Sequence, residues 1–267
     1  MLDRLVGARK YFQIFKLAFE ESLFYRFNAL IYFFRQSLWF FAEILIWLQV
    51  FQQKSQVGEY DLAGIIMYFL MVYLVYLFTG SSVAGWLSSS IIDGSLTIYF
   101  FRPISVHWAI FSRDFGKKAS QFLWIFLVWI IVFLIFGISI GSKNIGLFAL
   151  ALFNSIFLAF LFRFFLGVLA FWFTSIRSML EVISQAETFL AGGWVPLSLL
   201  PVGIAKVAGF SPFGLSVSFP VRLFLGRIER PEIITSFVLQ YLWLIFFYIL
   251  ISVLWRKGVK RYEAVGN

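Results

Sequence analysis

The stretch Ser90–Ser105 reads SIIDGSLTIYFFRPIS and separates the second and third of six long apolar segments. Its ends are polar, whereas apolar and small residues alternate in its middle. Asp93-Gly94 favours a turn, and Pro103 fixes its own φ angle, so the chain starts a new element after it. This pattern predicts a short amphipathic segment that lies on a membrane surface and ends in a turn.

The composition identifies the class of protein. Hydrophobic residues make up 61% of the 267 residues, and charged residues make up only 13%. A soluble domain contains roughly a quarter charged residues and less than half apolar ones, so this chain could not cover so large a core with polar surface. The apolar segments are also too long and continuous for a β-barrel. The chain is therefore predicted to be an all-α polytopic membrane protein.

Six segments have the roughly 20 apolar residues that a transmembrane helix needs. The fifth of them is the most polar. The first 27 residues contain four charged residues between Asp3 and Lys10 and no continuous apolar core, which is not the pattern of a cleavable signal peptide. The predicted spans are Ala29–Gln52, Leu62–Gly80, Ala119–Ile138, Leu147–Phe173, Met179–Val195 and Ile233–Trp255.

Charge predicts the orientation of the chain. The formal net charge is +9, which in a membrane protein indicates basic loops beside an anionic leaflet rather than nucleic acid binding. Loops on one side of the six segments carry 14 Lys and Arg residues, and loops on the other side carry six. The positive-inside rule therefore places both termini and Ser90–Ser105 in the cytoplasm.

The sequence predicts neither a metal site nor thiol chemistry. The chain has no cysteine, which excludes disulfides and thiolate ligands. His107 is the only histidine, and it has no neighbouring carboxylate with which to form a metal site. An interfacial aromatic role beside Trp108 is the expected one.

Two segments outside the spans have patterns of their own. Residues 1–28 predict an amphipathic helix in the membrane interface, because Phe12, Phe15, Phe19 and Leu23 share one helical stripe; a solvated leader is the alternative. Residues 196–231 contain apolar pieces of about 14 residues or fewer, too short to span. Prolines interrupt this second segment, so it predicts re-entrant or interfacial half-helices on the outer side.

Four sequence features follow one another along the chain: Phe24-Tyr25-Arg26, the G-x-L and R-P-x-S of Ser90–Ser105, the run Gly192–Gly226 with its prolines, and the tail Arg256–Asn267. In this order they resemble the permease subunits of ATP-binding-cassette type-2 exporters. The resemblance implies one permease domain over residues 1–267, with an interfacial helix (1–28), spans 1–5 (29–195) that include a coupling loop (86–118), a re-entrant segment (196–231), and span 6 with a cytoplasmic tail (232–267).

The resemblance also implies a function. Such a permease subunit moves a substrate across the bacterial cytoplasmic membrane, together with a second permease that is a copy or a relative. A separate dimer of cytoplasmic nucleotide-binding subunits hydrolyses ATP with magnesium. This chain contains neither a G-x-x-x-x-G-K-[ST] loop nor an LSGGQ signature, so it is expected to bind no ATP itself and not to be an enzyme. The family exports many kinds of substrate, so none is implied.

Two other classes of function remain open at this stage. One is a membrane channel or assembly factor that works without an ATPase. An adjacent gene that encodes a nucleotide-binding subunit, or co-purification with such a subunit, would decide against it. The other is an intramembrane enzyme, which needs a nucleophile and base or paired acids at one depth. The acidic residues within predicted spans are Glu43, Glu181 and Glu187, and no histidine lies near them in sequence.

In the family, the loop between spans 2 and 3 carries the coupling helix that docks on the ATPase. We expect Ile91–Phe101 to dock on the ATPase here, since interface energy concentrates in a few apolar and aromatic anchors. A loop that rests on lipid headgroups is the alternative. The expected apolar contacts are Ile92, Leu96, Tyr99 and Phe100, with Arg102 as a charge at the rim.

The fifth span is expected to line the substrate path, because it mixes hydrogen-bonding and apolar groups. Such a wall suits an amphipathic cargo, and Gly192-Gly193 would let the helix bend or approach a neighbour closely. Ordinary helix packing through small and polar residues is the alternative. The candidate path residues are Gln185, Glu187, Thr188, Phe189 and Trp194.

Charged side chains within the spans are candidates for buried ion pairs, because such groups face protein or water rather than lipid. They are Arg35, Glu43, Arg163 and Glu181. Glu43 and Arg163 lie at similar depth and are predicted to pair or to share a hydrated crevice. In the alternative, the two charges pair separately: Glu43 forms a pair across a permease–permease interface, and Arg163 pairs with Glu181.

Overall fold

The computed structural model of the protein describes the backbone of residues 2–24, 26–136, 144–173 and 176–262. Side chains are described at these positions except 2–8, 26, 28–30, 32–33, 35–36 and 122–136. Within these ranges the regular structure is helical, which confirms the all-α prediction. The helices are α1 (Leu2–Phe24), α2 (Arg26–Gln53), α3 (Leu62–Thr79), α4 (Val83–Ile92), α5 (Thr97–Phe100), α6 (Val106–Phe136), α7 (Ile145–Val168), α8 (Arg177–Leu190), α9 (Val202–Phe210), α10 (Pro212–Ser216), α11 (Ser218–Phe224) and α12 (Arg230–Arg261).

Three helical segments of the described chain are long and apolar enough to cross a membrane. They are Leu62–Ile92, which joins α3 and α4, Ile145–Phe171 and Arg230–Arg261. These segments match the second, fourth and sixth predicted spans. Helices α2 and α6, with 28 and 31 residues, coincide with the first and third, whose membrane crossing stays a prediction.

Helix α8 is shorter than the fifth predicted span. It contains 14 residues and is therefore about 21 Å long at 1.5 Å per residue, against roughly 30 Å for the hydrocarbon core. The chain turns after Leu190, and Gly192 adopts a φ of 79°, which favours glycine. The prediction of one helix over Met179–Val195 is wrong in extent, because the chain turns before that helix could complete a span.

The long helices α3–α4, α7 and α12 run side by side in the same direction. In the interior, the amide groups of Asn154 on α7 and Gln240 on α12 are hydrogen bonded. Near one end, the rings of Phe164 and Trp255 lie 5.5 Å apart between centroids. Helix α6 starts there too, since the His107 ring is 4.8 Å from Phe164 and 4.9 Å from Trp255. We call this end of the bundle the loop end, because Ser90–Ser105 also lies there.

Helix α1 packs along the first half of α6. Gly116 lets the helices approach closely, because a Cβ atom there would lie within 2.4 Å of the Phe15 carbonyl oxygen. The Ser120 hydroxyl donates a hydrogen bond of 2.6 Å to the Ser22 hydroxyl, and Ala18 is buried between them. The predicted apolar stripe of α1 is thus divided. Phe15 packs on α6, whereas Phe12 stays exposed.

A buried polar network joins α7, α10 and α12 in the interior of the bundle. The Gln240 Nε2 group donates to the Leu215 carbonyl at 2.9 Å and to the Ser155 hydroxyl at 3.2 Å. The Asn154 amide donates to Gln240 Oε1 at 3.2 Å. Each of these polar groups therefore has a partner in a region where an unpaired one would cost free energy.

This network also places the segment between α8 and α12. Helices α9, α10 and α11 contain nine, five and seven residues, each too short to span a membrane. Gln240 lies ten residues after the first residue of α12, which is about 15 Å along the helix axis. The end of α10 reaches this depth, as a re-entrant segment requires. Its location relative to a membrane stays a prediction.

Replacing Gln240 by leucine should lower the free energy of unfolding by about 1–2 kcal/mol. The change removes the partner of the Asn154 amide and of the Leu215 carbonyl, and an unsatisfied buried group costs roughly 1–3 kcal/mol. Interhelical hydrogen bonds in membranes average only about 0.6 kcal/mol, so the lower part of that range applies. Unfolding in mixed detergent micelles measures the effect. The exposed Gln52→Leu is the matched control, and equal stability of the two variants would contradict the prediction.

Candidate functional site

The segment Ser90–Ser105 forms the tip of the loop end, but not as one helix. Helix α4 continues to Ile92, a turn follows, and α5 has only four residues. Gly94 has a φ of 81°, and the Leu96 amide donates to the Ser90 carbonyl at 2.9 Å. The coupling helix expected between spans 2 and 3 is therefore not continuous, because the Asp93-Gly94 turn interrupts the helical hydrogen bonding; docking by Ile91–Phe101 stays a prediction.

Asp93 closes this turn through its side chain. The Ser95 backbone amide donates a 2.9 Å hydrogen bond to Asp93 Oδ1. Hydrogen bonds from the Ser95 side chain and backbone lower the pKa of the Asp93 carboxyl, because they stabilise its ionised form. The turn therefore keeps its negative charge at neutral pH.

The predicted contact residues of this tip have different surroundings. Leu96 is completely buried in the core of the chain itself, so it anchors the tip and presents no surface to a partner, contrary to the prediction. Tyr99 is half-buried and packs edge-to-face on Trp86 at 5.7 Å. The side chains of Ile92 and Phe100 are 41% and 40% exposed.

Sequence reasoning missed the two most exposed apolar side chains of the tip. Phe101 is 84% exposed and Ile98 is 53% exposed, and Arg102 beside them is exposed as well. The residues from Leu96 to Phe101 are almost all apolar, so no alternation shows which face is buried. The one available signal is the i, i+3 spacing of Ile98 and Phe101, which places them on one face.

Both ends of the described chain hold this tip. The Ser105 amide donates to the Tyr11 hydroxyl of α1 at 2.8 Å. The Thr97 hydroxyl donates to the Tyr262 hydroxyl, just after α12, at 3.2 Å. The Tyr262 ring also lies 6.0 Å from the ring of Phe100. The tip is therefore braced on two sides rather than hanging free.

A buried ion pair lies behind the tip, where α3 breaks before α4. Lys118 Nζ is 2.7 Å from Asp114 Oδ2, and both side chains are less than 10% exposed. The Ser81 hydroxyl donates to Asp114 Oδ1 at 2.8 Å and accepts from the Val83 amide at 3.2 Å. Sequence reasoning missed this role of Asp114. The i, i+4 spacing of the two charges was the available signal.

Arg163 of α7 pairs with Glu187 of α8. The Nη2–Oε2 distance is 2.7 Å, and the side chains are 18% and 14% exposed. Neither expected partner of Arg163 is the observed one. Glu181 lies instead at the surface, 73% exposed, 3.8 Å from Arg177. Six residues rotate a helix by about 600°, so Glu181 and Glu187 point about 120° apart, and one of them must face away from α7.

The remaining charge candidates lie on α2. Glu43 is half-buried on this helix, and its action across a permease–permease interface stays a prediction. The side chain of Arg35 is outside the described residues.

The predicted path residues fall on two different faces of α8 and its following turn. Glu187 and Thr188 face the bundle, and the Thr188 hydroxyl donates to the Ser184 carbonyl at 2.8 Å. Gln185 is exposed. Phe189 is half-buried and packs at 6.1 Å on Trp194, which is 46% exposed. The charge of Glu187 is thus neutralised within the chain.

The outward face of α8 is polar along its length. Ser178, Glu181, Val182 and Gln185 recur at i, i+3, i+4 and i+7 and are all exposed. A polar face on a helix among apolar membrane helices is costly if it meets lipid. This face therefore needs protein or water against it.

These features define a polytopic membrane protein of the permease class. It has long apolar helices, half-helices that reach into the bundle, and an apolar loop tip at one end. A family model described as "ABC-2 family transporter protein" matches residues 37–266, so the chain belongs to the ABC-2 transporter family, as the resemblance predicted. It is the membrane permease component of such a transporter. A comparison with curated proteins returns no match.

Replacing Arg163 by glutamine should lower the free energy of unfolding by about 2–3 kcal/mol, because a buried charge that loses its partner is strongly destabilising. The double variant Arg163→Met, Glu187→Leu should recover part of this loss, since no buried charge is left unpaired. Arg177→Gln is the matched control, because its pair with Glu181 is exposed and should contribute little. Unfolding in mixed micelles measures the unmodified protein and the three variants, and a double variant no more stable than Arg163→Gln would argue against the pair.

Proposed function

We propose that this chain is the permease subunit of an ATP-driven exporter and that its loop tip docks on a separate nucleotide-binding subunit. The observation that carries the proposal is the exposure of Phe101 and Ile98 beside Arg102. Exposed apolar groups rimmed by charge are typical of protein interfaces, and aromatic residues with arginine dominate their energy. ATP and magnesium would bind in the partner, which the family employs as its ATP-binding subunit.

The anchoring of the tip gives a route by which docking would act on the membrane helices. Leu96 is buried in the core, and Tyr99 packs on Trp86 of α4. Helix α4 continues α3, one of the candidate spans. A force on Phe101 would therefore be transmitted to α3 as a rigid-body movement rather than absorbed in a flexible loop.

The charge distribution supports a cytoplasmic location of the tip. The 14 basic residues counted on one side include those of α1, the loop and the end of α12, which lie together at the loop end. In the bacterial cytoplasmic membrane, this side would face the cytoplasm and the ATPase.

The outward polar face of α8 supports a substrate path between two permeases. Ser178, Glu181 and Gln185 offer hydrogen-bonding groups, and Val182 and Trp194 add apolar surface. A second permease, identical or related, would supply the opposite wall. This mixture suits an amphipathic cargo whose polar head is oriented and whose apolar part is sheltered. Glu187 does not serve the path directly, because Arg163 occupies it.

Replacing Phe101 by aspartate should reduce the stimulation of the ATPase by this permease at least tenfold. The reason is that loss of a central interface anchor costs about 2 kcal/mol or more of binding free energy. Membrane insertion should be unchanged, since the side chain has few contacts within the chain. Phe210→Asp is the matched control, because Phe210 is 56% exposed on α9, away from the tip. Leu96→Asp should instead lower the yield of folded protein, because Leu96 is buried in the core. If Phe101→Asp binds and stimulates the ATPase normally, the tip rests on lipid headgroups and the proposal fails.

Single cysteines on α8 should react with a water-soluble thiol reagent in a helical pattern, and the chain has no native cysteine to remove. Labelling is expected at positions 178, 181 and 185, with protection by bound cargo, and little labelling is expected at 183 and 187. Helical periodicity gives this contrast, because the two sets lie on different faces. Uniform reactivity along 178–188, or none in any nucleotide state, would rule out the path.

A further inference from the structure

An aromatic groove at the loop end takes no part in the features described so far. It has a volume of about 330 Å³, which is within the range of ligand pockets. Its walls come from the first turns of α6 and from the second halves of α7 and α12. The residues that define it for the argument are Trp108, Phe111, Phe157, Phe160, Tyr248 and Ser252.

The walls of the aromatic groove are rigid and apolar. The Phe111 ring stacks on Phe157 at 5.1 Å and meets Phe160 edge-to-face at 5.0 Å. Phe160 is itself buried, so the floor is part of the core. Such a surface offers contact to a flexible hydrocarbon chain and few hydrogen bonds to a polar molecule.

The mouth of the groove has the residues of a membrane–water interface. Trp108 is 54% exposed on one wall, and Tyr248 is 67% exposed on another. Tryptophan and tyrosine are enriched where lipid headgroups meet hydrocarbon. The groove therefore opens sideways to the membrane near headgroup depth, in the leaflet at the loop end.

Positive charge follows the groove along α12. Arg256 and Lys260 come four and eight residues after Ser252, so they continue the same helical stripe, and both are exposed. Arg256 lies about 6 Å further along the axis. The acidic residue of α12, Glu232, is at its other end and pairs with Arg222.

We propose that the aromatic groove binds an anionic phospholipid. One acyl chain lies against Phe111, Phe157 and Phe160, and the phosphate is held by Arg256 and Lys260. The lipid would fill the junction at which α6 begins beside α7 and α12. This inference rests on the membrane placement in the proposed function, but it requires neither ATPase docking nor export.

Native mass spectrometry of the full chain in detergent, with added phosphatidylglycerol or phosphatidylcholine, tests the proposal. Phosphatidylglycerol should bind about 25-fold more tightly, since each of the two basic residues near the headgroup strengthens binding about fivefold. Arg256→Gln with Lys260→Gln should abolish this preference. Lys257→Gln is the matched control, because Lys257 is exposed next to Arg256 but is turned 100° from the stripe.

Ser252→Trp, which fills the groove mouth, should weaken binding of both lipids. The difference between the affinities for phosphatidylglycerol and phosphatidylcholine should then be small. Equal binding of the two lipids to the unmodified chain would overturn the proposal, whatever the variants do. The proposal also fails if Lys257→Gln weakens binding as much as the double change, because that indicates a diffuse basic surface. ATPase stimulation by the Phe101 variant is measured separately, so failure of lipid binding is distinguishable from failure of the proposed function.

Discussion

The hydrogen bonds of the Gln240 side chain connect the two halves of this structure. Gln240 of α12 reaches the Leu215 carbonyl at the end of α10 and the Ser155 hydroxyl of α7. Backbone that is not part of a long helix is tolerated at membrane depth only where protein satisfies its polar groups. The broken segment between α8 and α12 can enter the bundle because Gln240 supplies that partner, and α7 and α12 are aligned by the same contacts.

This constraint affects the loop end through the parallel helices. Once α7 and α12 are in register at Gln240, Phe164 and Trp255 meet about three turns further along α7 and about four turns further along α12. Trp255 also packs on Phe171 at 5.7 Å, and Gly258 lies close against the same ring, where a Cβ atom would clash. The surface that braces the loop tip is thus built from helix ends whose register is set in the interior. The loop tip and the core are therefore parts of one packed unit.

The two ion pairs of α8 lie on different faces of the helix. The inward pair of Arg163 and Glu187 attaches a short helix that has no fully buried residue of its own. The outward face is left free to present Gln185 and Glu181 to a partner or to water. Met179, Leu180 and Ile183 also pack against the core, so α8 is held by partly buried apolar contacts as well as by this pair.

The amino-acid sequence by itself determined the class of the protein and the location of its long helices. Composition and segment length demand membrane helices, and these signals are local, so α3, α7 and α12 fall where the sequence predicts them. The prolines likewise restrict residues 196–231 to short pieces. The motifs along the chain were sufficient for the family, which the match over residues 37–266 confirms.

Only the tertiary structure decided which side chains meet. Helical spacing shows that Glu181 and Glu187 lie on different faces, but not which face turns toward Arg163. In the segment from Leu96 to Phe101, hydropathy does not distinguish Leu96 from Phe101, so the burial of the one and the exposure of the other depend on where α4 and α12 pack. Gln240 carried no local signal at all, since a lone glutamine in an apolar helix is recognised as a structural centre only when its distant partners, Leu215 and Ser155, are brought beside it.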